Sequence, residues 1–164
     1  MLNEWTVDIK NDLFRGDAGL QLSINSTSDV QRDDMFTGSA SSLSEISKMV
    51  RDLPEPKGRK YALNFALADN YEVDAKRLKE LFDPRKCMVK ITPLHITHSC
   101  EENHIKTTGG YSSFVPYQKA ERELINAGFD VLVFIPSSDE DKGRITCGNA
   151  ILSGTMPECK YKVL

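Results

Sequence analysis

One cysteine, two asparagines, a serine and a histidine occupy the positions where this chain is best able to do chemistry. Cys147 lies in Arg144-Ile-Thr-Cys-Gly-Asn-Ala150, past an apolar run (Asp130-Val-Leu-Val-Phe-Ile-Pro136) and a charged turn from Ser137 to Gly143. A thiol just beyond the C-terminal end of a buried strand sits where α/β folds open their ligand crevice. Gly148 beside it lets a ligand or a second backbone come close. As a thiolate, Cys147 is a nucleophile able to carry a transferred group. As a neutral thiol it is a small buried hydrophobe. Ser23, Asn25, Asn64 and His95 place hydroxyl, amide and imidazole groups at or near the ends of three earlier apolar segments. Groups of this kind hold a polar ligand in a fixed orientation. Asn64 also has a purely structural reading, in which it satisfies a neighbouring backbone group.

His95, His98, Cys100 and His104 gather in one polar segment, but their spacing matches no standard metal site. The four cysteines (Cys87, Cys100, Cys147, Cys159) are far apart and include no C-x-x-C pair. That pattern supports neither structural zinc nor a disulfide framework. Two basic clusters, Lys57/Arg59/Lys60 and Lys160/Lys162, suit either phosphate contacts or solvated surface.

The elements that must position these residues alternate between strand and helix periods. Leu20-Gln-Leu-Ser-Ile24 reads as a short strand running into the turn residues Asn25-Ser-Thr-Ser-Asp29. Ser28 with Gln31 has the spacing of a capping box for a short helix ending near Gly38. Ser42 with Glu45 repeats it for a helix whose Leu43, Ile46, Met49, Val50 and Leu53 form a core stripe, ended by Pro54 and Pro56. Lys60 to Leu67 alternates, with Tyr61, Leu63, Phe65 and Leu67 on one face and Ala62, Asn64 and Ala66 on the other. A helix follows from about Val73 to Phe82, then a strand from Cys87 to His95. Residues 96–114, with Gly109-Gly110, read as a long polar loop of the kind that forms functional lids. Pro116 opens a helix carrying Tyr117, Ala120, Leu124 and Ile125, stopped by Gly128. The strand Val131 to Ile135 and the Cys147 segment complete the series, and residues 155–164 form a C-terminal tail.

Repeated β-α-β units require parallel strands and right-handed crossovers, and they gather the strands' C-terminal ends at one edge. Ser23, Asn25, His95 and Cys147 fall at that edge, with Asn64 somewhat deeper. At 164 residues with 40% apolar content, the chain suits a single domain over 1–164 with an ordinary core. A net charge of −3 gives no general attraction to nucleic acid or anionic membrane. The apolar runs fall well short of the ~18 residues of a membrane span. The start, Met1-Leu-Asn-Glu-Trp-Thr, lacks the form of a signal peptide, so a cytoplasmic location is expected.

In order and spacing, the edge motifs resemble the C-terminal half of the radical S-adenosylmethionine (radical-SAM) RNA methyltransferases of the RlmN/Cfr type, from about Ala18 to Ser153. That family's A-I-S-L-H-A strand is matched by Leu22-Ser23-Ile24-Asn25-Ser26. Its N-L-I-P-Y-N-P strand is matched by Lys90-Ile-Thr-Pro-Leu-His95, and its A-C-G-Q-L by Thr146-Cys147-Gly148-Asn149-Ala150. The resemblance implies part of a parallel (β/α) barrel, about four strands alternating with helices and open-edged. It implies that Ser23, Ile24, Asn25 and His95 bind S-adenosylmethionine, and that Asn64 lines the cavity for substrate. In the family, the cysteine corresponding to Cys147 carries a methyl group to an adenine carbon of RNA, the methyl being activated by a radical generated from a second cofactor molecule.

The chain departs from the family at Asn25 (histidine there), His95 (asparagine there) and Asn64 (commonly glutamate there). The C-x-x-x-C-x-x-C motif for a [4Fe–4S] cluster is absent, so the cluster belongs to the complete enzyme only and the chain alone is expected to be inactive. RNA is the implied partner of the complete enzyme. An open barrel edge and an exposed apolar face imply self-association. Two other readings fit the same residues. One is a related radical-SAM enzyme or maturase with a non-RNA substrate, where Cys147 is structural or a radical donor. The other is a free-standing α/β binding or thiol-redox module.

Overall fold

A computed structural model of the chain describes residues 2–93, 105–106 and 117–135. Its centre is a four-stranded sheet in the order β1 (Gln21–Ser23), β2 (Tyr61–Leu67), β3 (Cys87–Pro93), β4 (Asp130–Val133), with every neighbouring pair parallel. The helices between them are α2 (Asp29–Met35), α3 (Leu43–Asp52), α4 (Ala75–Leu81) and α5 (Gln118–Asn126). A short α1 (Leu2–Glu4) running into a π-helix (Trp5–Leu13) precedes them. The expected α/β alternation with four parallel strands is present, and among the described residues the sheet is not closed.

Spatial order equals chain order, so each crossover steps the same way across the sheet. Crossovers of one hand that never reverse direction place their helices on one face. The core lies on that face: Tyr61, Leu63 and Phe65 of β2 and Cys87, Val89 and Ile91 of β3 are fully buried with Leu43, Leu78 and Leu124 of the helices. The alternate residues point to the second face. There Ser23, Asn64, Lys90 and Leu132 lie in one register row across all four strands. Neither the core cluster nor the apolar side chains packed on it include any residue of the second face.

Local chemistry sets the helix ends. Ser42 and Glu45 form the full reciprocal capping box, with Ser42 Oγ accepting from Glu45 N–H at 3.2 Å and Ser42 N–H donating to Glu45 Oε2 at 2.8 Å. At α2 only half of the expected box forms. Ser28 Oγ accepts from Gln31 N–H, but the Gln31 side chain accepts from Ser26 Oγ and Glu72 N–H instead. The α4 cap is Asp74, whose Oδ1 accepts from Lys76 and Arg77 N–H. Gly128 stops α5 as expected, with φ of 103°. Two stripe residues differ from expectation: Met49 and Ile125 are exposed at the margins of their helices' apolar faces.

The π-helix packs under the N-terminal end of β2. Its Lys10 is fully buried, donating to Lys57 O at 2.7 Å, with its ammonium 5.8 Å from the Tyr61 ring centroid. Asn11 bridges the same turn, accepting from Lys57 N–H at 3.0 Å and donating to Glu55 O at 3.3 Å. Burial holds the Lys10 ammonium below its ordinary pKa.

Candidate functional site

The site-bearing end of the sheet is built around the place where β1 stops. Asn25 has a left-handed backbone, φ 63°, which asparagine tolerates better than most residues. The turn lets both Ile24 N–H (2.8 Å) and Asn25 N–H (3.2 Å) donate to Asn64 O. Asn25 Oδ1 then accepts from Ala66 N–H at 3.1 Å, adding a side-chain rung beyond the strand. No described residue accepts from its Nδ2, which remains available as a donor.

Arg32 secures this turn from behind. Arg32 is 3% exposed, and its guanidinium donates to Ile24 O, to Ser23 O (3.4 Å) and to Ser41 O (3.0 Å). Burial lowers its pKa, an effect partly offset by Asp29. The next residues are spent on holding loops together. Thr27 Oγ1 donates to Glu72 Oε1 at 2.9 Å and accepts from Asp74 N–H at 2.8 Å, so the β1–α2 loop is tied to the β2–α4 loop. Both Ser26 and Thr27 are fully buried.

The expected site residues separate into three groups. Ser23 and Asn64 are brought together as direct partners on the second face. Asn25 is at the strand end, half-buried, with one of its two polar atoms engaged in the sheet. Ile24 is fully buried in the core, and its backbone N–H and C=O are both bonded within the protein, so it offers no free polar group to a ligand. His95 and Cys147 lie outside the described residues, as do His98, Cys100, His104, Gly109-Gly110 and the tail.

Two polar atoms on the second face are buried without a hydrogen-bond partner among the described residues: Asn64 Oδ1 and Thr92 Oγ1. Buried polar groups in folded proteins are nearly always paired, so each of these asks for a partner that the described residues do not supply. Lys90 stands beside them as the register partner of Asn64, with its ammonium 5.6 Å from the Phe134 ring centroid. Sequence reasoning missed Lys90, Thr92 and Arg32. The signal for the first two was present in the alternation of β3, where Lys90 and Thr92 share the face opposite Cys87, Val89 and Ile91. Arg32 had no such signal, because an arginine four residues past a helix cap normally reads as surface.

Two shallow grooves lie elsewhere. One of about 580 Å³ sits between α3 and α4 and is lined by Arg51, Glu55, Lys79, Glu80 and Lys86 among others. One of about 540 Å³ lies between α4 and α5. Both are on the helix side, away from the strand ends, and their charges are mixed. Lys57 and Lys60, from a basic cluster suited by charge to phosphate contacts, are instead paired with Asp12 and Asp130 at 2.8 and 2.7 Å.

Among the described residues no three His, Cys, Asp or Glu side chains converge as a metal site, and no helix is long and apolar enough to cross a membrane. No model of a known protein family matches the chain, and no curated protein matches it.

Proposed function

We propose that this chain is the C-terminal part of a radical-SAM (β/α) barrel enzyme of the RNA adenine methyltransferase kind, with the second face of the sheet as the barrel lumen. The supporting observation is the unreversed order β1-β2-β3-β4 together with a second face, excluded from the core, that carries the unpartnered Asn64 Oδ1 and Thr92 Oγ1. A doubly wound sheet reverses direction and covers both faces with helices. A parallel barrel has eight strands, keeps one direction and fills its inner face with side chains and ligand. Four strands whose outer two pair with no further strand among the described residues fit half of such a barrel.

The residues present fit S-adenosylmethionine as a ligand. Ser23, the free Nδ2 of Asn25 and His95 would hold its polar groups, with Asn64 in the same row as Ser23 and Thr92 two residues nearer the strands' C-terminal ends. When bound, the cofactor supplies an electrophilic methyl group. The chain's own part is to bind and orient it, with Cys147 as the thiol that accepts the methyl. The residues present do not fit a [4Fe–4S] cluster. Cys87 is fully buried among apolar side chains on the core face, opposite the lumen, so its thiol is not presented to a cluster there. Cys100, Cys147 and Cys159 lack the close spacing such clusters use. Cluster ligands would have to come from another polypeptide segment, and the chain by itself carries no radical chemistry.

The test is an amide NMR titration of the chain with S-adenosylmethionine, with adenosine as control. The reading requires saturable shifts at Ser23, Asn25, Asn64 and Thr92 that the variant Asn64→Leu diminishes. A spectrum unmoved at saturating cofactor would sink it.

A further inference from the structure

Among the described residues, the second face carries one charge without a compensating partner. Its charged residues are Lys90 and Asp130, and Asp130 is bonded to Lys60 Nζ at 2.7 Å. Among the described residues no carboxylate pairs with Lys90. The Phe134 ring at 5.6 Å steadies the ammonium without cancelling its charge. Asn64 faces Lys90 directly across β2 and β3, about 5 Å away in the backbone. Thr92 lies two residues further along the same face of β3, a rise of about 7 Å. Lys90, Thr92 and Asn64 therefore share one patch of the second face by register, with the ammonium over Phe134 on the β4 side, and Asn64 and Thr92 each bury an unpartnered oxygen.

The kinds of group left over define the ligand. An ammonium and a hydroxyl donate, which calls for an oxyanion. Asn64 Oδ1 accepts, which calls for an O–H or N–H on the same ligand. A simple carboxylate satisfies the first need only. A phosphate ester of a sugar satisfies both, since its oxygens accept from Lys90 and Thr92 and a sugar hydroxyl donates to Asn64. We propose that Lys90, Thr92 and Asn64 form a phosphate subsite for a nucleotide bound in the lumen. The proposal rests on the reading of the second face as a ligand-binding lumen, and not on what reaction takes place there.

The experiment titrates the isotope-labelled chain with adenosine 5′-monophosphate, inorganic phosphate and adenosine, reading amide shifts at Lys90 and Thr92. The monophosphate is expected to bind tightest, inorganic phosphate more weakly, and adenosine weakest. Lys90→Gln should weaken the monophosphate about tenfold or more, as loss of a charge-assisted hydrogen bond does. Thr92→Val should weaken it less, and both variants should keep a dispersed, folded spectrum. Equal binding of monophosphate and adenosine overturns the proposal, as does a Lys90→Gln variant that binds the monophosphate normally. If Lys90→Gln loses S-adenosylmethionine as well, Lys90 belongs to the cofactor site and the proposal falls. If the monophosphate binds through Lys90 while S-adenosylmethionine does not bind at all, the subsite stands and the cofactor reading fails.

Discussion

Asn25 Oδ1 accepts the backbone N–H of Ala66 at 3.1 Å, one rung past the end of β1. In a regular parallel ladder that N–H would go to Ile24 O, just as Ala62 N–H goes to Leu20 O at 2.8 Å. Ile24 O is unavailable because Ser26 N–H (2.8 Å) and the Arg32 guanidinium already donate to it. The asparagine side chain thus replaces a carbonyl that the arginine has drawn away. The geometry of the strand end, and with it the presentation of Ser23, depends on both residues.

Asn25→Ala should destabilise the chain by about 2 kcal/mol, combining a lost hydrogen bond with a Cβ held in the left-handed region. Asn25→Gly removes the backbone strain and loses only the bond, so it should cost about half as much. Urea denaturation of the two variants beside the parent gives the comparison. An alanine variant as stable as the parent would show that the side-chain rung contributes nothing.

Arg32→Leu should cost about 2–4 kcal/mol, since it strips charge-assisted donors from the carbonyls of Ser23, Ile24 and Ser41. Arg32→Lys should recover less than half of that, because an ammonium cannot reproduce the planar fork that spans these oxygens. If Arg32 positions the site as well as supporting it, Arg32→Lys should also weaken S-adenosylmethionine binding under conditions where it is fully folded. Unchanged affinity in the folded lysine variant would confine Arg32 to stability.

The α/β alternation was legible because β2 and β3 alternate cleanly, and burying one face requires that alternation. The expected strand over Lys60 to Leu67 is observed at Tyr61–Leu67. The expected helix from about Val73 to Phe82 is observed at Ala75–Leu81. The N-terminal helix was not legible, because its pattern is inverted: Thr6, Lys10 and Asn11 are buried while Leu13 and Phe14 are exposed. No period of apolar residues marks a helix held by hydrogen bonds to a neighbouring turn. The failed box at Ser28 has a similar origin, since Gln31 finds partners on the β2–α4 loop that sequence spacing cannot reveal. Of the site, the row Ser23–Asn64 followed from alternation, whereas the pull of Arg32 on Ile24 O is a tertiary contact with no sequence period.

Gly16→Ala should release the N-terminal segment. An added Cβ would lie 2.3 Å from Lys57 O, and the backbone φ of 94° already disfavours a side chain. The flanking bonds, Gly16 N–H to Lys10 O (2.8 Å) and Arg59 N–H to Gly16 O (3.0 Å), hold the same turn. A loss above about 2 kcal/mol is expected. Hydrogen exchange should speed up over Trp5–Leu13 while β2 and β3 stay protected. Uniform acceleration across the chain would mean that the π-helix is part of the cooperative core.

The edges of β1 and β4, which pair with no further strand among the described residues, and Leu132 and Phe134, 47% and 44% exposed on the second face, should drive self-association. On the proposed barrel reading, a second copy would supply the four further strands that an eight-stranded barrel needs. Sedimentation velocity should show a dimer growing with concentration, and Leu132→Glu should shift it back towards monomer. A parent chain that stays monomeric throughout the accessible range would argue against an exposed barrel half.

Stability should fall as pH rises above 9, through Cys87 and Tyr61. Burial is the main cause that pushes both up to about 12 in the folded chain, from ordinary values of 9.0 and 10.0. Cys87 Sγ is packed in the core, and Tyr61 donates its hydroxyl to Pro54 O at 2.7 Å. Both groups keep their protons when folded and lose them when unfolded across this window, so the unfolded state binds fewer protons and stability must drop with pH. Below pH 9 the contribution is fully present, and it is gone once the pH passes the folded values near 12. The thiol alone should remove about 1 kcal/mol by pH 10. Urea denaturation from pH 7 to pH 10 should show this decline, with a shallower slope in Cys87→Ala despite that variant's lower stability at pH 7. A thiol-reactive dye gives a second check, since the folded parent and Cys87→Ala should react to the same extent and differ by one thiol only after denaturation. Equal pH slopes in the two proteins would remove Cys87 as the cause.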